Sequence, residues 1–253
     1  MNKIGIYCYS WLWMLAIALP VSAASLPDTI AKIKPSIVAI GTYSRLAKPT
    51  SQILGTGFII GNGNRVATNA HVIPANISKQ NKVRLVVFVG QGSNIAMRNA
   101  TIAAVDETHD LAILSLSGSP LPPLYISSKR VREGELYAFT GFPIGAVLGL
   151  HPVTHRGIIS SITPVATPAQ STKSLSIKQL KALKNPYRVY QLDATAYPGN
   201  SGSPVYDPNT GQVIAVINKV LVKKTKESLL SNPSAITYAI PAKYLKALNS
   251  SIK

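Results

Sequence analysis

The sequence predicts an all-β fold, a pair of barrels or a sandwich, and three observations carry that prediction. Its apolar segments are short and numerous. Turn signals rich in glycine, asparagine, proline and serine separate them at close intervals. No long helical pattern lies between them, as a parallel βαβ sheet would require.

In chain order, the first 23 residues read as a secretory leader. Lys3 precedes an apolar run from Trp11 to Leu19, and Val21 and Ala23 stand at small-residue cleavage positions. That run is too short for a spanning helix. A cut falls after Ala23 or one residue later, and the chain is then exported, to the periplasm or the medium. The segment "PDTIAKIK" predicts a short helix, Pro27 to Lys34, with Asp28 able to cap it and Pro35 ending it. A strand follows from Ser36 to Thr42. "GTGFIIGNGNRVATNAHV" reads as two strands around a Gly-Asn-Gly-Asn hairpin turn. "KVRLVVFV", "RNATIAAVD" and the fully apolar "LAILSL" continue the series. The Pro/Ser-rich stretch 117–128 is a natural seam, dividing 24–125 from 126–253. Beyond it "GELYAFTGF", "VTHRGIISSI", "VYQLDAT", "SPVYD", "QVIAVINK" and "ITYAIP" are strands, and "AKYLKALNS" has helical spacing. Residues 163–188 break the rhythm as a polar insertion with Lys173, Lys178, Lys181, Lys184 and Arg188. Its length predicts a mobile basic surface loop near the functional site. No repeat of solenoid type is present.

Composition limits the chemistry. The only cysteine, Cys8, lies in the leader, so the exported chain carries no thiol or disulfide and is held by packing. Lys and Arg number 26 against 9 Asp and Glu, a net charge of +17. Such an excess attracts polyanions, with an anionic envelope surface ahead of DNA outside the cytoplasm, or serves solubility alone. No cofactor motif is present. His151 and His155 stand four apart but have no neighbouring Cys, Asp or Glu to complete a metal set, so no metal is predicted.

One stretch, "ATAYPGNSGSPVYD" (194–207), poses the functional question. Ser201 is either one small residue in a turn or an attacking hydroxyl. A nucleophilic serine needs a base, a group that orients the base, and donors for the oxyanion. Four histidines exist. His71 follows a predicted strand, Val66 to Thr68, where a side chain would project from a barrel end. Asp110 opens the apolar strand "LAILSL", where its carboxylate can be buried and hold an imidazole. His109 beside it is expected to face the surface.

"TNAHV", "HDLAIL", "GFPIG…THRGIIS" and "DATAYPGNSGSPV", with "IKPSIVAI" and "ITYAIPAKYLKAL" at the two ends, resemble the trypsin-like serine proteases and most closely their HtrA/Deg branch. The resemblance covers residues 27–248. It implies two perpendicular six-stranded barrels of chymotrypsin type with short terminal helices, the triad His71, Asp110 and Ser201 in the cleft between them, and that chain order. It further implies an oxyanion hole at Gly199, Asn200 and Ser201. The primary pocket would be floored by Thr195 and Ala196 and walled by Asn218, Lys219 and Val220. With no carboxylate there, a buried Lys or Arg side chain would lack its counter-charge, so small or medium apolar residues are expected before the cut bond. Asn200 stands where digestive relatives carry an aspartate that pairs with a freed N-terminus, so activation by that route is not expected. Ser203 replaces the usual glycine, with little effect expected. The branch usually carries a C-terminal PDZ domain, and this sequence ends at Lys253, so no PDZ-mediated partner is expected. Protein or peptide substrates are implied, and the oligomeric state is open. Two other functions stay open at this point. One is a basic, protease-like module that binds an anionic polymer or partner protein with weak catalysis. The other is ester hydrolysis by the same triad.

Overall fold

The computed structural model describes residues 25–75, 77, 82–143, 149–165, 186–218 and 236–252. The leader, most of the 163–188 insertion and the pocket residues Lys219 and Val220 lie outside the described residues.

Helix α1 (Leu26–Ile33) runs into a short 3-10 turn (Lys34–Ser36). Asp28 accepts hydrogen bonds from the Ser25 hydroxyl at 2.6 Å and the Ser25 N–H at 3.3 Å, and Ile33 anchors the helix in the core. Six strands follow: β1 (Ile37–Tyr43), β2 (Ser51–Ile60), β3 (Arg65–Thr68), β4 (Arg84–Gln91), β5 (Asn94–Asp106) and β6 (Leu111–Leu116). They close into an antiparallel barrel in the order β1-β2-β3-β6-β5-β4. The second set is β7 (Leu136–Gly141), β8 (Val153–Pro164), β9 (Arg188–Asp193), β10 (Pro204–Tyr206), β11 (Val213–Asn218) and β12 (Ile236–Pro241). It closes in the order β10-β11-β12-β9-β8-β7. Read from β7, that is the wiring of the first barrel repeated. The predicted pair of six-stranded barrels is therefore the fold, with helix α2 (Ala242–Ser250) at the end.

Three apolar clusters explain why several strands read as continuous apolar runs rather than alternating ones. Val38, Ile40, Ile59, Val66, Val87 and Leu114 fill the first barrel. Tyr137, Phe139, Ile159, Leu192, Val205 and Ile217 fill the second. A third cluster takes Phe58 and Ile60 from β2, Ala138 and Tyr206 from the second barrel, and Leu245 from α2. Successive strand side chains point to opposite faces. On β2, Ile59 therefore enters its own barrel while Phe58 and Ile60 face the neighbour.

The chain between the barrels is tied to both. Leu124 N–H donates to Ile59 O at 2.8 Å, and Ser127 N–H donates to Val213 O at 2.8 Å. Helix α2 packs against β11 of the second barrel and β5 and β6 of the first. Arg65 on β3 donates to Asn249 Oδ1 at 2.9 Å and to Asn249 O at 3.3 Å. No helix among the described residues is long and apolar enough to cross a membrane.

Leu245 is fully buried in the shared cluster. Leu245→Ala is expected to lower unfolding free energy by about 2–5 kcal/mol, read from the midpoint of a urea titration.

Candidate active site

The pairing of β3 with β6 sets Thr68 opposite Ala112. Just past that pair, β3 turns into a short 3-10 helix (Ala70–Val72) carrying His71, and on the other strand Asp110 stands before β6. Asp110 has a left-handed backbone, φ +52°. Its carbonyl accepts Ala70 N–H at 3.2 Å and Asn69 Nδ2 at 3.0 Å. Its carboxylate accepts His71 N–H at 2.8 Å through Oδ1, and His71 Nδ1 at 2.5 Å through Oδ2. A carboxylate oxygen so close to Nδ1 places the ring proton there and leaves Nε2 as the acceptor.

Asn218, at the end of β11, donates Nδ2 to the same Oδ2 at 2.7 Å. The resemblance had placed Asn218 on the far wall of the substrate pocket. Its side chain instead reaches across to the first barrel, because the last residue of β11 meets the turn before β6.

Ser201 lies in the turn before β10 and is 7 % exposed. Residues Tyr197 to Asn200 form a turn closed by Asn200 N–H donating to Tyr197 O at 3.0 Å, with Gly199 at φ +97°. Proline then glycine at the centre, with a positive φ on the glycine, is a type II turn. Asn200 N–H is thus committed within the chain and unavailable to a substrate oxygen, which removes Asn200 from the expected oxyanion donors. Among the described residues, the N–H groups of Gly199 and Ser201 meet no acceptor. The side chain of Asn200 is fully buried, and neither its Oδ1 nor its Nδ2 is hydrogen-bonded. In this conformation no hydrogen bond joins Ser201 Oγ to His71.

The turn approaches the first barrel so closely that only glycine fits beside it. A Cβ on Gly202, whose φ is +87°, would fall on Thr56 O, and one on Gly141 would fall on Ser203 Oγ. Ser203, with its hydroxyl buried and unpartnered, therefore occupies a crowded position.

Thr195 and Ala196 are half-buried. The segment they belong to is fixed by Thr237 on β12, whose hydroxyl donates to Ala194 O at 2.5 Å and accepts Ala196 N–H at 3.0 Å. Thr56, Thr68 and Thr237, all buried, were missed by sequence reasoning. The available signal was a threonine inside an apolar strand, since a buried hydroxyl must find a partner.

Of the other histidines, His109 differs from its expectation. His109 is not a free surface residue: Nδ1 donates to Asp106 Oδ2 at 2.6 Å, and the ring stacks on Tyr244 at 3.8 Å. His155 stacks on Phe139 at 4.8 Å with Nε2 buried and unpartnered, and burial lowers its pKa. Among the described residues no cluster could hold a metal.

Comparison with known proteins now decides the family. The trypsin-like peptidase domain matches residues 55–216. The chain belongs to the trypsin-like peptidases. Serine protease Rv3671c of Mycobacterium tuberculosis is 29 % identical over 207 residues, covering 81 % of this chain and 45 % of that protein. Serine protease HTRA1 of Xenopus tropicalis is 28 % identical over 220 residues, covering 85 % and 40 %. This chain thus spans less than half the length of these relatives. Among solved structures, the active form of Rv3671c superposes with a TM-score of 0.65 at 22 % identity, covering 98 % of this chain and 94 % of that one. The HtrA-type protease AlgW, solved with a tripeptide, gives 0.63 at 21 % identity, covering 90 % and 64 %. The relatives it resembles include serine proteases of the HtrA type.

His155 generates a pH prediction. Its folded pKa lies below the unfolded value near 6.5, so unfolding takes up a proton as pH falls through that value, and stability declines with acidification. His155→Leu is expected to remove this part of the decline. Urea titrations of parent and variant at pH 7.5 and 5.5 measure it, as a parent-to-variant difference that changes with pH.

Proposed function

We propose that the protein is an exported serine endopeptidase acting on unfolded, envelope or secreted proteins through Ser201, His71 and Asp110. The observation that carries this reading is the pairing of an oriented imidazole, bonded through Nδ1 to Asp110, with two uncommitted amides, at Gly199 and Ser201, on the neighbouring turn. In the reaction, Ser201 Oγ attacks the substrate carbonyl carbon while His71 Nε2 takes the hydroxyl proton. The oxyanion that forms accepts hydrogen bonds from Gly199 N–H and Ser201 N–H. His71 then returns the proton to the leaving amine, and an acyl-enzyme remains. Water attacks that ester by the same proton relay and releases Ser201. Asp110 keeps the tautomer and stabilises the imidazolium, and Asn218 shares its charge. Catalytic hydrogen bonds commonly tighten only when substrate is bound, and the Ser201–His71 link is of that kind.

Thr195 and Ala196 bring no carboxylate to the pocket floor, which favours small or medium apolar residues before the cut bond. Casein is the test substrate. Ser201→Ala is expected to abolish its cleavage, and Asp110→Asn to lower turnover by about 10³–10⁴-fold. Equal cleavage by parent and Ser201→Ala would remove the peptidase reading. Mass spectrometry of the products is expected to place the cuts after apolar residues, and dominant cuts after Lys or Arg would reassign the pocket.

A second reading, attachment to an anionic surface or polymer, is favoured by a cleft of about 780 Å³ on the second barrel. Lys129, Arg130, Arg132, Arg188 and Lys243 line it against Glu133. Glu135 pairs with Lys129 at 3.4 Å and Arg132 at 3.3 Å. The remaining three cations are in no ion pair among the described residues. Retention on dextran sulfate is expected to weaken with salt, and Arg130→Glu with Arg188→Glu to elute earlier still. Elution independent of salt would dismiss this reading.

A further inference from the structure

Thr56, on β2 of the first barrel, touches the Ser201 turn of the second barrel twice. Its N–H donates to Ser201 O at 2.9 Å, and its hydroxyl donates to Gly199 O at 2.7 Å. The same hydroxyl accepts Phe142 N–H at 3.0 Å. A threonine hydroxyl has one proton, and with an N–H arriving from Phe142 that proton is directed to Gly199 O. Thr56 O is itself held by the Thr68 hydroxyl at 2.8 Å, and Thr56 is fully buried. Every polar group of this residue is therefore committed, and two of them go to the turn.

The consequence appears when the turn is followed peptide by peptide. In the 199–200 peptide, the carbonyl is bound by the Thr56 hydroxyl and the N–H by Tyr197 O at 3.0 Å. In the 201–202 peptide, the carbonyl is bound by Thr56 N–H and the N–H by Ile217 O at 3.0 Å. Between them, Asn200 O accepts Ser203 N–H at 3.0 Å. Three successive carbonyls are thus tied down, which leaves the N–H groups of Gly199 and Ser201 without an internal acceptor. Glycine has the widest backbone freedom of any residue, so Gly199 is where this arrangement would loosen first. The Thr56 hydroxyl is the side chain that restrains its carbonyl.

We propose that Thr56 is a positioning residue of the oxyanion-binding turn, its hydroxyl holding Gly199 O so that Gly199 N–H faces the reacting carbonyl. The proposal rests on the reading of Ser201 as nucleophile. Thr56 contacts no substrate atom in this scheme and acts through Gly199. Its removal should therefore weaken transition-state binding and leave ground-state binding nearly unchanged. The backbone contact to Ser201 O survives any substitution at position 56 that keeps the strand, so the side-chain contribution is separable.

The test uses a fluorogenic peptide carrying a cut site mapped in casein, and the boronic-acid analogue of that peptide. Thr56→Val replaces the hydroxyl with a methyl group of similar size. It is expected to lower kcat by about 10–100-fold, less than outright loss of an oxyanion donor, with KM within about threefold. Affinity for the boronate, which places an oxyanion in the hole, should fall by a similar factor, while affinity for the uncleaved parent peptide on Ser201→Ala and Thr56→Val/Ser201→Ala proteins should agree within about threefold. Thr56→Ser keeps the hydroxyl and should retain kcat within about threefold of the parent. A tenfold loss in Thr56→Ser overturns the proposal, whether or not Thr56→Val folds. So does a folded Thr56→Val protein whose kcat matches the parent. If Ser201→Ala itself turns over like the parent, the underlying reading of the site fails instead, and the two failures are distinguishable.

Discussion

The Asp110 carboxylate is the point on which both barrels converge. It takes hydrogen bonds from the His71 backbone and ring on one side and from Asn218 on the other. Those donors come from the end of β3 and the end of β11, so one side chain fixes the imidazole and links the barrels. Asp110 reaches this position only by adopting φ +52°, a conformation that costs a residue with a Cβ about 1–3 kcal/mol. The two hydrogen bonds to its carbonyl, from Ala70 and Asn69, offset that cost locally. Strain at this turn is thus part of how the cleft is assembled.

Around the carboxylate, the barrels are matched by a shared apolar cluster and by hydrogen bonds, and among the described residues no ion pair joins them. Phe58 and Ile60 from one barrel meet Tyr206 and Val216 from the other in the same cluster. Thr56 N–H and hydroxyl cross the boundary above them. The closeness of Gly202 to Thr56 O and of Gly141 to the Thr56 hydroxyl shows how little room the crossing leaves. A shift of either barrel by a side-chain diameter would separate the turn from β2, because close-packed interiors transmit displacements instead of absorbing them.

Much of this was legible in the sequence, for identifiable reasons. The strands appeared as short apolar runs between turn residues, and most boundaries moved by only a residue or two. An exception is β2, which begins at Ser51 rather than Gly55 because its first residues, Ser51 to Ile53, pair with the end of β1. His71, Asp110 and Ser201 stood out because each sits at a strand end in a distinctive local motif. What escaped was everything set by pairing across the chain. The direction of Asn218 depends on which turn faces β11, and the roles of Thr56 and Thr237 depend on which loops pass them. His109 was read as a surface residue because the aromatic ring that covers it, Tyr244, comes from the C-terminal helix. The duplicated wiring of the two barrels also left no trace, since the same strand order can be satisfied by many apolar sequences.

The placement of helix α2 has a consequence for when the site comes into being. This segment follows both barrels in the sequence, yet it packs on β5 and β6 of the first barrel and is pinned there through Asn249 and Arg65. Asn218 is likewise late in the chain. Domains form from the amino end as synthesis proceeds, so a nascent barrel bearing His71 and Asp110 waits uncovered for partners more than a hundred positions downstream. The His71–Asp110 pair therefore gains its Asn218 contact only once the second barrel has been made.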